Sequence, residues 1–243
     1  MLIINADDLG RSKAATDNAL SCYANRRITS TSGMVFMEDS ERAADLALAS
    51  GIDIGLHINF SERFSGKSVP EPLRHSQERL CRFLRSNKYA LIFYNPCLRD
   101  QFRHVFQAQY VEFVRLFDRE PSHLDGHQHM HLASNILMEG IIPRGTKVRK
   151  SFSFWPGEKS VTNRLYRAGV DRLLSRRHRI TDYFFALKQH PTVARLERVI
   201  NLSVNSNVEL MTHPQVQEEY ELLMSDECGC ALSRTRLAGY EQL

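Results

Sequence analysis

The sequence predicts an α/β fold whose parallel strands close in the manner of a (β/α) barrel. Short apolar or β-branched runs of strand length recur along the 243 residues, and helical patterns lie between them. Strands that alternate with helices indicate βαβ units and a parallel sheet. About seven candidate strands in one domain favour a barrel over a small open sheet, with a doubly wound sheet as the alternative. The runs are residues 2–5, 28–37, 52–60, 122–126, 146–154, 181–187 and 208–213.

The helical patterns between these runs are residues 13–26, 40–50, 100–117 and 192–204. One connection is anomalous, because roughly 60 residues separate the third strand from the fourth, far more than a usual connection. Long excursions of this kind often carry binding loops or lids. We therefore expect a single domain over residues 1–243, with an insertion at about 60–121 that contributes helices and a candidate lid.

Composition and charge exclude several classes of function. The 32 basic and 28 acidic residues leave a net charge of +4, and the basic residues are dispersed except for LLSRRHR at 173–179, whereas a nucleic-acid-binding protein needs a coherent basic face. The five cysteines lack the spacing of a disulfide framework or zinc site. No signal-peptide pattern opens the chain, and no run reaches the roughly 18 apolar residues of a membrane span. We expect a cytoplasmic protein with reduced thiols, no nucleic-acid partner and no membrane span, with a homodimer left open.

Polar residues gather where predicted strands end, which is where parallel α/β folds form their active sites. LIIN runs into ADDLG, so that Asp7 and Asp8 follow the first strand. GLHIN contains His57 where the third run breaks, and MTHP contains His213 at the end of the last strand. Each motif alone has a structural interpretation, as a turn, a helix cap or a hydrogen-bonded core histidine. Taken together, they favour a metal site.

The segment HLDGHQHMH, residues 123–131, carries four of the chain's ten histidines. In an extended chain its alternate residues would share one face, but a single metal takes only three or four protein ligands. Gly126 is expected to bend the chain as the strand ends. This bend would leave His127 at the strand mouth.

The other members of this segment are expected to support the site rather than bind the metal. His123 and Asp125 would lie deeper in the strand, where they could orient imidazole rings. His129 and His131 would lie in the following turn and face substrate or solvent.

Oxygen and nitrogen donors without thiolate suit Zn²⁺, Mn²⁺, Fe²⁺, Co²⁺ or, less readily, Mg²⁺. Such an ion activates water and polarises a carbonyl or phosphoryl oxygen, as hydrolases require.

Neighbouring residues of an extended segment point to opposite sides, so Asp8 could bind the metal and Asp7 act as a base if a turn at Gly10 twists the chain. His213, across the barrel mouth, could donate a proton to the leaving group.

The motifs NADDLG, GLHIN, PSHLDGHQHMH and MTHP, in this order and spacing, resemble those of the YdjC-like carbohydrate deacetylases, a group that includes chitooligosaccharide deacetylase and the hopanoid-biosynthesis-associated deacetylase-like proteins. The resemblance runs over nearly the whole chain. It implies a distorted, TIM-barrel-like (β/α) fold related to the NodB-type polysaccharide deacetylases. The family motif usually has Phe where this chain has Leu9, which alters the packing of the pocket rather than its ligands.

The resemblance also implies a metal-dependent removal of an N-acetyl group from an amino sugar, in an oligosaccharide or a sugar conjugate. One divalent ion, Mg²⁺ or Zn²⁺ first and Mn²⁺, Co²⁺ or Fe²⁺ as alternatives, would be held by Asp8, His57 and His127. Asp7 would be the general base and His213 the general acid. The alternatives are a metal-dependent phosphoesterase, which in its two-metal form would need more carboxylates at strand ends, and a non-catalytic carbohydrate-binding protein, which would be expected to lack Asp7 or a ligand.

Overall fold

The computed structural model describes residues 1–87, 89–189 and 192–243, and a parallel β-sheet forms its centre. The described strands are β1 (Leu2–Leu9), β2 (Ser30–Gly33), β3 (Asp53–Ile58), β4 (Leu124–Gly126), β5 (Tyr183–Ala186) and β6 (Val208–Thr212). Their order in the sheet is β4-β3-β2-β1-β6-β5, and every neighbouring pair is parallel. The sheet curls into a half-barrel, so the carboxyl ends of all six strands meet at one rim.

β1 is a central strand that pairs with β2 on one side and β6 on the other. All eight of its residues are buried. Its run of Leu2, Ile3 and Ile4 is continuous rather than alternating, as is typical of parallel strands covered on both faces. The consequence is a rigid central strand whose carboxyl end can hold side chains in fixed positions.

The prediction of seven strands is wrong, because residues 146–154 do not form a strand. Within this segment, Val148 bridges to β4 and Lys147 bridges to Arg179. The ladder does not continue, since the backbone N–H of Ser151 donates to a carboxylate side chain. Among the described residues, the sheet therefore has six strands and a half-barrel shape, with isolated bridges where a seventh strand was expected.

The described α-helices cover most of the predicted helical segments, and α2 has the predicted bounds. They are α1 (Lys13–Ala24), α2 (Ser40–Ser50), α3 (Glu71–Ser86), α4 (Arg99–Phe117), α5 (Ser134–Glu139), α6 (Val161–Ser175), α7 (Val193–Ser203), α8 (Gln217–Met224) and α9 (Asp226–Ser233). Short 3-10 helices cover Pro96–Leu98, His127–Leu132, Leu187–Gln189 and Tyr240–Gln242.

The long connection between β3 and β4 contains α3 and α4, which pack against each other. α4 also contacts α2 and β3, and the ring of Phe117 comes within 3.3 Å of where a side chain on Gly33 of β2 would begin. α4 is thus the crossover helix that links two parallel strands. The residues before α3 form a loop that lies beside the carboxyl ends of the strands.

The helices described here are too short or too polar to serve as membrane spans. All five cysteines carry free thiols, and Cys22, Cys81 and Cys228 are buried.

Candidate metal centre

The two aspartates at the end of β1 point in different directions because the backbone turns between them. Asp8 has a φ of 72°, in the left-handed region that non-glycine residues rarely adopt. The pairing of β1 with β2 is irregular between Ala6 and Leu9. The twist that we expected at Gly10, whose φ is 83°, therefore begins at Asp8 itself. Strained residues of this kind cluster at functional sites.

Asp8, His57 and His127 meet at the carboxyl ends of β1, β3 and β4. Oδ1 of Asp8 lies 3.3 Å from Nε2 of His57 and 3.0 Å from Nδ1 of His127. One ligand atom from each residue lies within 4.8 Å of the others, and all three residues are buried. The two imidazole rings are nearly perpendicular, with centroids 5.6 Å apart. The structure thus brings together the three residues that the family resemblance suggested as ligands.

This arrangement fits a small divalent ion. Bonds of about 2.0–2.2 Å at octahedral or tetrahedral angles separate neighbouring ligand atoms by about 2.8–3.6 Å. The distances of 3.0 and 3.3 Å from the Asp8 oxygen to the two imidazole nitrogens fall in this range. One carboxylate oxygen and two imidazole nitrogens are donors that suit zinc and other first-row divalent metals.

The partners within the cluster outweigh the effect of burial on its protonation. Burial opposes ionisation of Asp8, but hydrogen bonds from His127 and His57 hold its pKa well below the usual range. Burial opposes protonation of His57, but the charges of Asp125 and other aspartates raise its pKa to about 10. Hydrogen bonds with Asp8 and Glu62 raise the pKa of His127 against the effect of burial. Asp8 is therefore an ionised carboxylate, as a metal ligand must be.

His57 is oriented from behind by Asp125, as the sequence analysis expected for that aspartate. Nδ1 of His57 lies 2.8 Å from Oδ1 of Asp125, and the hydroxyl of Ser32 donates to Oδ2 of Asp125 at 2.9 Å. Because Nδ1 is occupied in this way, Nε2 of His57 faces Asp8. A carboxylate that fixes the ring and tautomer of a histidine is a recurrent feature of metal sites.

A second group of potential ligands, Asp7, His57 and Asp125, is also close enough to hold a metal. A buried arginine, Arg149, already occupies the space between its carboxylates. Nη1 of Arg149 lies 2.6 Å from Asp7, and Nη2 lies 2.7 Å from Asp125. Since a guanidinium so placed would repel a divalent cation, the group that contains Asp8 is the better candidate for a metal site.

Arg149 is a residue of this centre that the sequence analysis missed. It is fully buried, and its Nε also contacts Glu209 at 2.6 Å. Burial opposes its charge, but three carboxylates raise the pKa of Arg149 well above its usual range. In the sequence it lies in a segment with alternating polar residues, and nothing distinguishes it from the neighbouring Lys147 and Lys150. Only the folded chain identifies it.

Glu62 is the second missed residue, and it comes from the loop that follows β3. Its Oε2 lies 3.0 Å from Nε2 of His127. Arg11 contacts both Glu62 oxygens at 3.1 Å and Asp8 Oδ2 at 3.3 Å. Gln215 also donates to Asp8 Oδ2, at 2.8 Å. Glu62 could have been found from sequence as a charged residue shortly after a strand end, but Phe60 extends the apolar run beyond His57 and hides that signal.

Of the remaining histidines of residues 123–131, His123 and His131 lie in the interior and His129 is half-buried, and burial is the largest effect that lowers their pKa values. His123 stacks on Tyr240 with ring centroids 3.7 Å apart, and no described contact joins it to a candidate ligand. His131 is fully buried and bonds to the carbonyl of Arg149, so it does not face solvent as expected. His129 packs edge-on against Phe152, with ring centroids 4.4 Å apart.

The bend of the chain after β4 does not occur at Gly126, where the sequence analysis expected it. Gly126 is extended, with a φ of −160°, and the left-handed residues are Gln128 and His129, with φ values of 52° and 59°. Gly126 matters for another reason: a side chain there would begin only 2.9 Å from the backbone nitrogen of His131.

His213 lies directly beyond β6, next to the end of β1. The pairing of Ala6 with Thr212 sets His213 beside Asp7 along the rim. Its side chain is 22% exposed at this rim. Its backbone N–H donates to Glu219, and Nδ1 lies 3.7 Å from the same carboxylate. Burial opposes its protonation, but the nearby carboxylate of Glu219 raises the pKa of His213.

A family model for YdjC-like proteins matches residues 1–234. The chain belongs to the YdjC-like family. Among curated proteins, the chitooligosaccharide deacetylases of Salmonella paratyphi B and Salmonella newport are each 31% identical to this YdjC-like chain over 138 residues. That match covers 56% of the chain and 52% of each relative, so the chain matches about half the length of these proteins.

A solved structure from Enterococcus faecalis V583, described as a "putative cellobiose-phosphate cleavage protein", is similar to this YdjC-like chain over 99% of its length and 97% of the other chain. The TM-score is 0.69 and the sequence identity is 18%. At this identity the likeness shows a shared fold.

Proposed function

We propose that this YdjC-like chain is a metal-dependent hydrolase that removes an N-acetyl group from an amino sugar. The observation that carries the proposal is the meeting of Asp8, His57 and His127 at three strand ends, with the atomic spacing of ligands around one divalent ion. The names of the Salmonella relatives support the reaction and the substrate class. We propose N-acetylated saccharides, either chitooligosaccharides or sugar conjugates, as substrates and Mg²⁺ or Zn²⁺ as the metal.

An ion held by Asp8, His57 and His127 would supply polarisation of the acetyl carbonyl and activation of water. In this proposal Asp7 accepts the proton of the attacking water. Arg149 contacts its two carboxylate oxygens at 2.6 and 2.7 Å, which fixes the plane of the carboxylate. Oδ1 also accepts from Asn5 at 2.9 Å, whereas Arg149 is the described donor to Oδ2, whose second lone pair leaves Asp7 able to accept a proton.

His213 is the proposed acid that protonates the leaving amine. The nitrogen of an amide is a poor leaving group until it gains a proton, so hydrolysis needs an acid on that side of the bond. His213 suits this role because Glu219 favours its protonated form and its side chain is partly exposed at the rim.

The same geometry argues against a two-metal phosphoesterase. Such an enzyme needs a second ion at about 3.5–4 Å from the first, with its own carboxylate ligands. The carboxylates of Asp7 and Asp125 that could serve are both bonded to Arg149.

The experiment is a mass-spectrometric screen of N-acetylglucosamine oligomers and sugar conjugates for loss of acetyl, with added Zn²⁺ or Mg²⁺ and with a chelator. We expect deacetylation that the chelator abolishes and that Asp8→Asn lacks. Glu71→Gln, which changes an exposed carboxylate on α3, is the control and should retain activity. Deacetylation that survives both the chelator and Asp8→Asn would refute metal dependence, and a negative screen would refute the substrate class.

The roles of Asp7 and His213 are separable with a second substrate. Asp7→Asn should lower turnover by roughly 10²–10⁴ on both an N-acetyl sugar and an aryl acetate ester. His213→Ala should be impaired mainly on the amide, because an aryl ester has a good leaving group that needs little protonation. Equal losses for His213→Ala on the two substrates would contradict its role as the acid.

A further inference from the structure

His127 has a carboxylate at each ring nitrogen, which makes the choice of metal-binding nitrogen a question of geometry. Nδ1 lies 3.0 Å from Asp8, and Nε2 lies 3.0 Å from Glu62. A neutral imidazole has one N–H donor and one acceptor nitrogen, so a carboxylate held at one nitrogen keeps the proton there and leaves the other nitrogen for a metal. Because Asp8 is itself a proposed ligand, the metal lies on the Nδ1 side of the ring, and Glu62 is the carboxylate that keeps the proton at Nε2.

Glu62 is held at Nε2 by a closed ring of contacts. Arg11 Nε and Nη2 contact the two oxygens of Glu62, both at 3.1 Å. Nη1 of the same guanidinium lies 3.3 Å from Asp8 Oδ2. The other oxygen of Asp8 contacts His127, which completes the ring Asp8–His127–Glu62–Arg11. The two-pronged contact with Arg11 orients Glu62 more tightly than a single hydrogen bond would.

We infer that Glu62 is a positioning residue that fixes His127 with Nε2 protonated and presents Nδ1 to the metal. His57 is arranged in the opposite sense, since Asp125 holds its Nδ1 and its Nε2 faces Asp8. The two histidines thus contribute different nitrogens to one site. The loop after β3 supplies the residue that sets this difference. The inference rests on the proposed metal site and adds to it a partner and a ligating atom.

The direct test uses protein labelled with ¹⁵N-histidine and titrated with Zn²⁺, observed by long-range ¹H–¹⁵N correlation spectra, with His57→Asn and His127→Asn to assign the ring signals. We expect a metal-bound Nδ1 and a protonated Nε2 for His127, and the reverse for His57. A metal-bound Nε2 in His127 would overturn the inference while leaving metal-dependent hydrolysis intact. If neither ring responds to Zn²⁺, the metal site itself fails, and the inference fails with it.

The second test measures Zn²⁺ affinity by calorimetry. Loss of a carboxylate that orients a ligating histidine typically weakens metal binding by about 10–100-fold, so we expect a loss of this size for Glu62→Ala. Glu62→Gln should lose less, because its amide oxygen can still accept from Nε2–H. An unchanged affinity for Glu62→Ala would refute a positioning role. Equal losses well beyond 100-fold for both variants would instead make Glu62 a ligand, which also overturns the inference.

The chain offers a matched control for these variants. Glu71 contacts Nε2 of His75 at 3.0 Å, the same distance as the contact of Glu62 with His127, but on the exposed side of α3. Glu71→Ala should therefore bind Zn²⁺ as the unmodified chain does. A similar loss of affinity in Glu71→Ala would show that the effect of Glu62→Ala comes from altered surface charge rather than from the orientation of His127.

Discussion

The two candidate histidines lie in regions that are built in opposite ways. His57 belongs to the floor of the site, defined here by His57, Asp125 and Arg149, whose side chains are 0–2% exposed. His127 belongs to the wall, defined by His127, Glu62 and Arg11. In the wall the side chains of Glu62 and Arg11 are 31% and 38% exposed. In the floor, His57 and Asp125 lie on β3 and β4, while the wall depends on a loop after β3 and a residue just beyond β1.

The same kind of ion pair has different consequences in the two regions. In the floor, removing one partner leaves a charge buried without compensation, at a cost of about 3–5 kcal/mol. In the wall, water screens the charges, and an exposed pair contributes about 0–1 kcal/mol. The ion pairs of the floor should therefore determine whether the chain folds, and those of the wall should determine how tightly the folded chain binds the metal ion.

The largest effect is expected for Arg149→Leu. This change leaves the carboxylates of Asp7, Asp125 and Glu209 buried without their shared cation. We expect the free energy of unfolding to fall by about 3–5 kcal/mol in urea denaturation at pH 7. Arg144→Leu, on the exposed loop before it, is the control and should change stability by less than about 0.5 kcal/mol. Similar losses for the two variants would erase the distinction between floor and surface.

A smaller effect that depends on pH is expected for Glu209→Gln. Burial raises the pKa of Glu209 from 4.5 to about 7, even though Arg149 lies beside it. The folded chain therefore binds the proton of the Glu209 carboxyl group more tightly than the unfolded chain does. This proton stabilises the folded state most below pH 4.5, and the stabilisation is lost as the pH rises through about 7. Between pH 5 and 8, the unmodified chain should lose about 1–3 kcal/mol more stability than Glu209→Gln. Parallel stability profiles for the two proteins would contradict the raised pKa.

The smallest effect on stability is expected in the wall. Arg11→Ala removes the contacts with Glu62 and Asp8. It should change the free energy of unfolding by less than about 1 kcal/mol, because Arg11 and Glu62 are partly exposed to solvent and Asp8 keeps its contacts with Gln215 and His127. Zn²⁺ affinity should nevertheless fall several-fold, since Glu62 is then less well oriented. Arg63→Ala, which removes a 79% exposed arginine of the same loop, should change neither quantity. A loss of stability in Arg11→Ala as large as that of Arg149→Leu would break the comparison.

The sequence predicted the positions of the candidate ligands because strand ends leave a local signal. An apolar run that breaks at a polar residue marks the rim of a parallel sheet, and Asp8, His57 and His127 all follow this rule. The alternation of strands and helices likewise indicated the parallel sheet, whose six strands the structure describes. The membership in the YdjC-like family confirms the resemblance that the motifs suggested.

The parts that the sequence did not predict depend on contacts between distant segments. Arg149 is 142 residues from Asp7, and the two meet only in the folded chain. The segment around Arg149 resembles a strand and its backbone bonds to Leu124 of β4, but the ladder stops before Ser151, whose backbone N–H donates to a carboxylate side chain. His131 was expected to face substrate or solvent, but the left-handed turn at Gln128 and His129 directs it into the core.

The most direct test of the account is anomalous diffraction at the zinc edge from crystals of the full chain grown with Zn²⁺. The account predicts one strong peak within bonding distance of Asp8 Oδ1, His57 Nε2 and His127 Nδ1, with Arg149 still between Asp7 and Asp125. A peak on the other side of His57, among Asp7, Asp125 and Nδ1, would contradict the assignment of the metal position. Absence of any peak at the rim of the sheet would contradict the metal centre altogether.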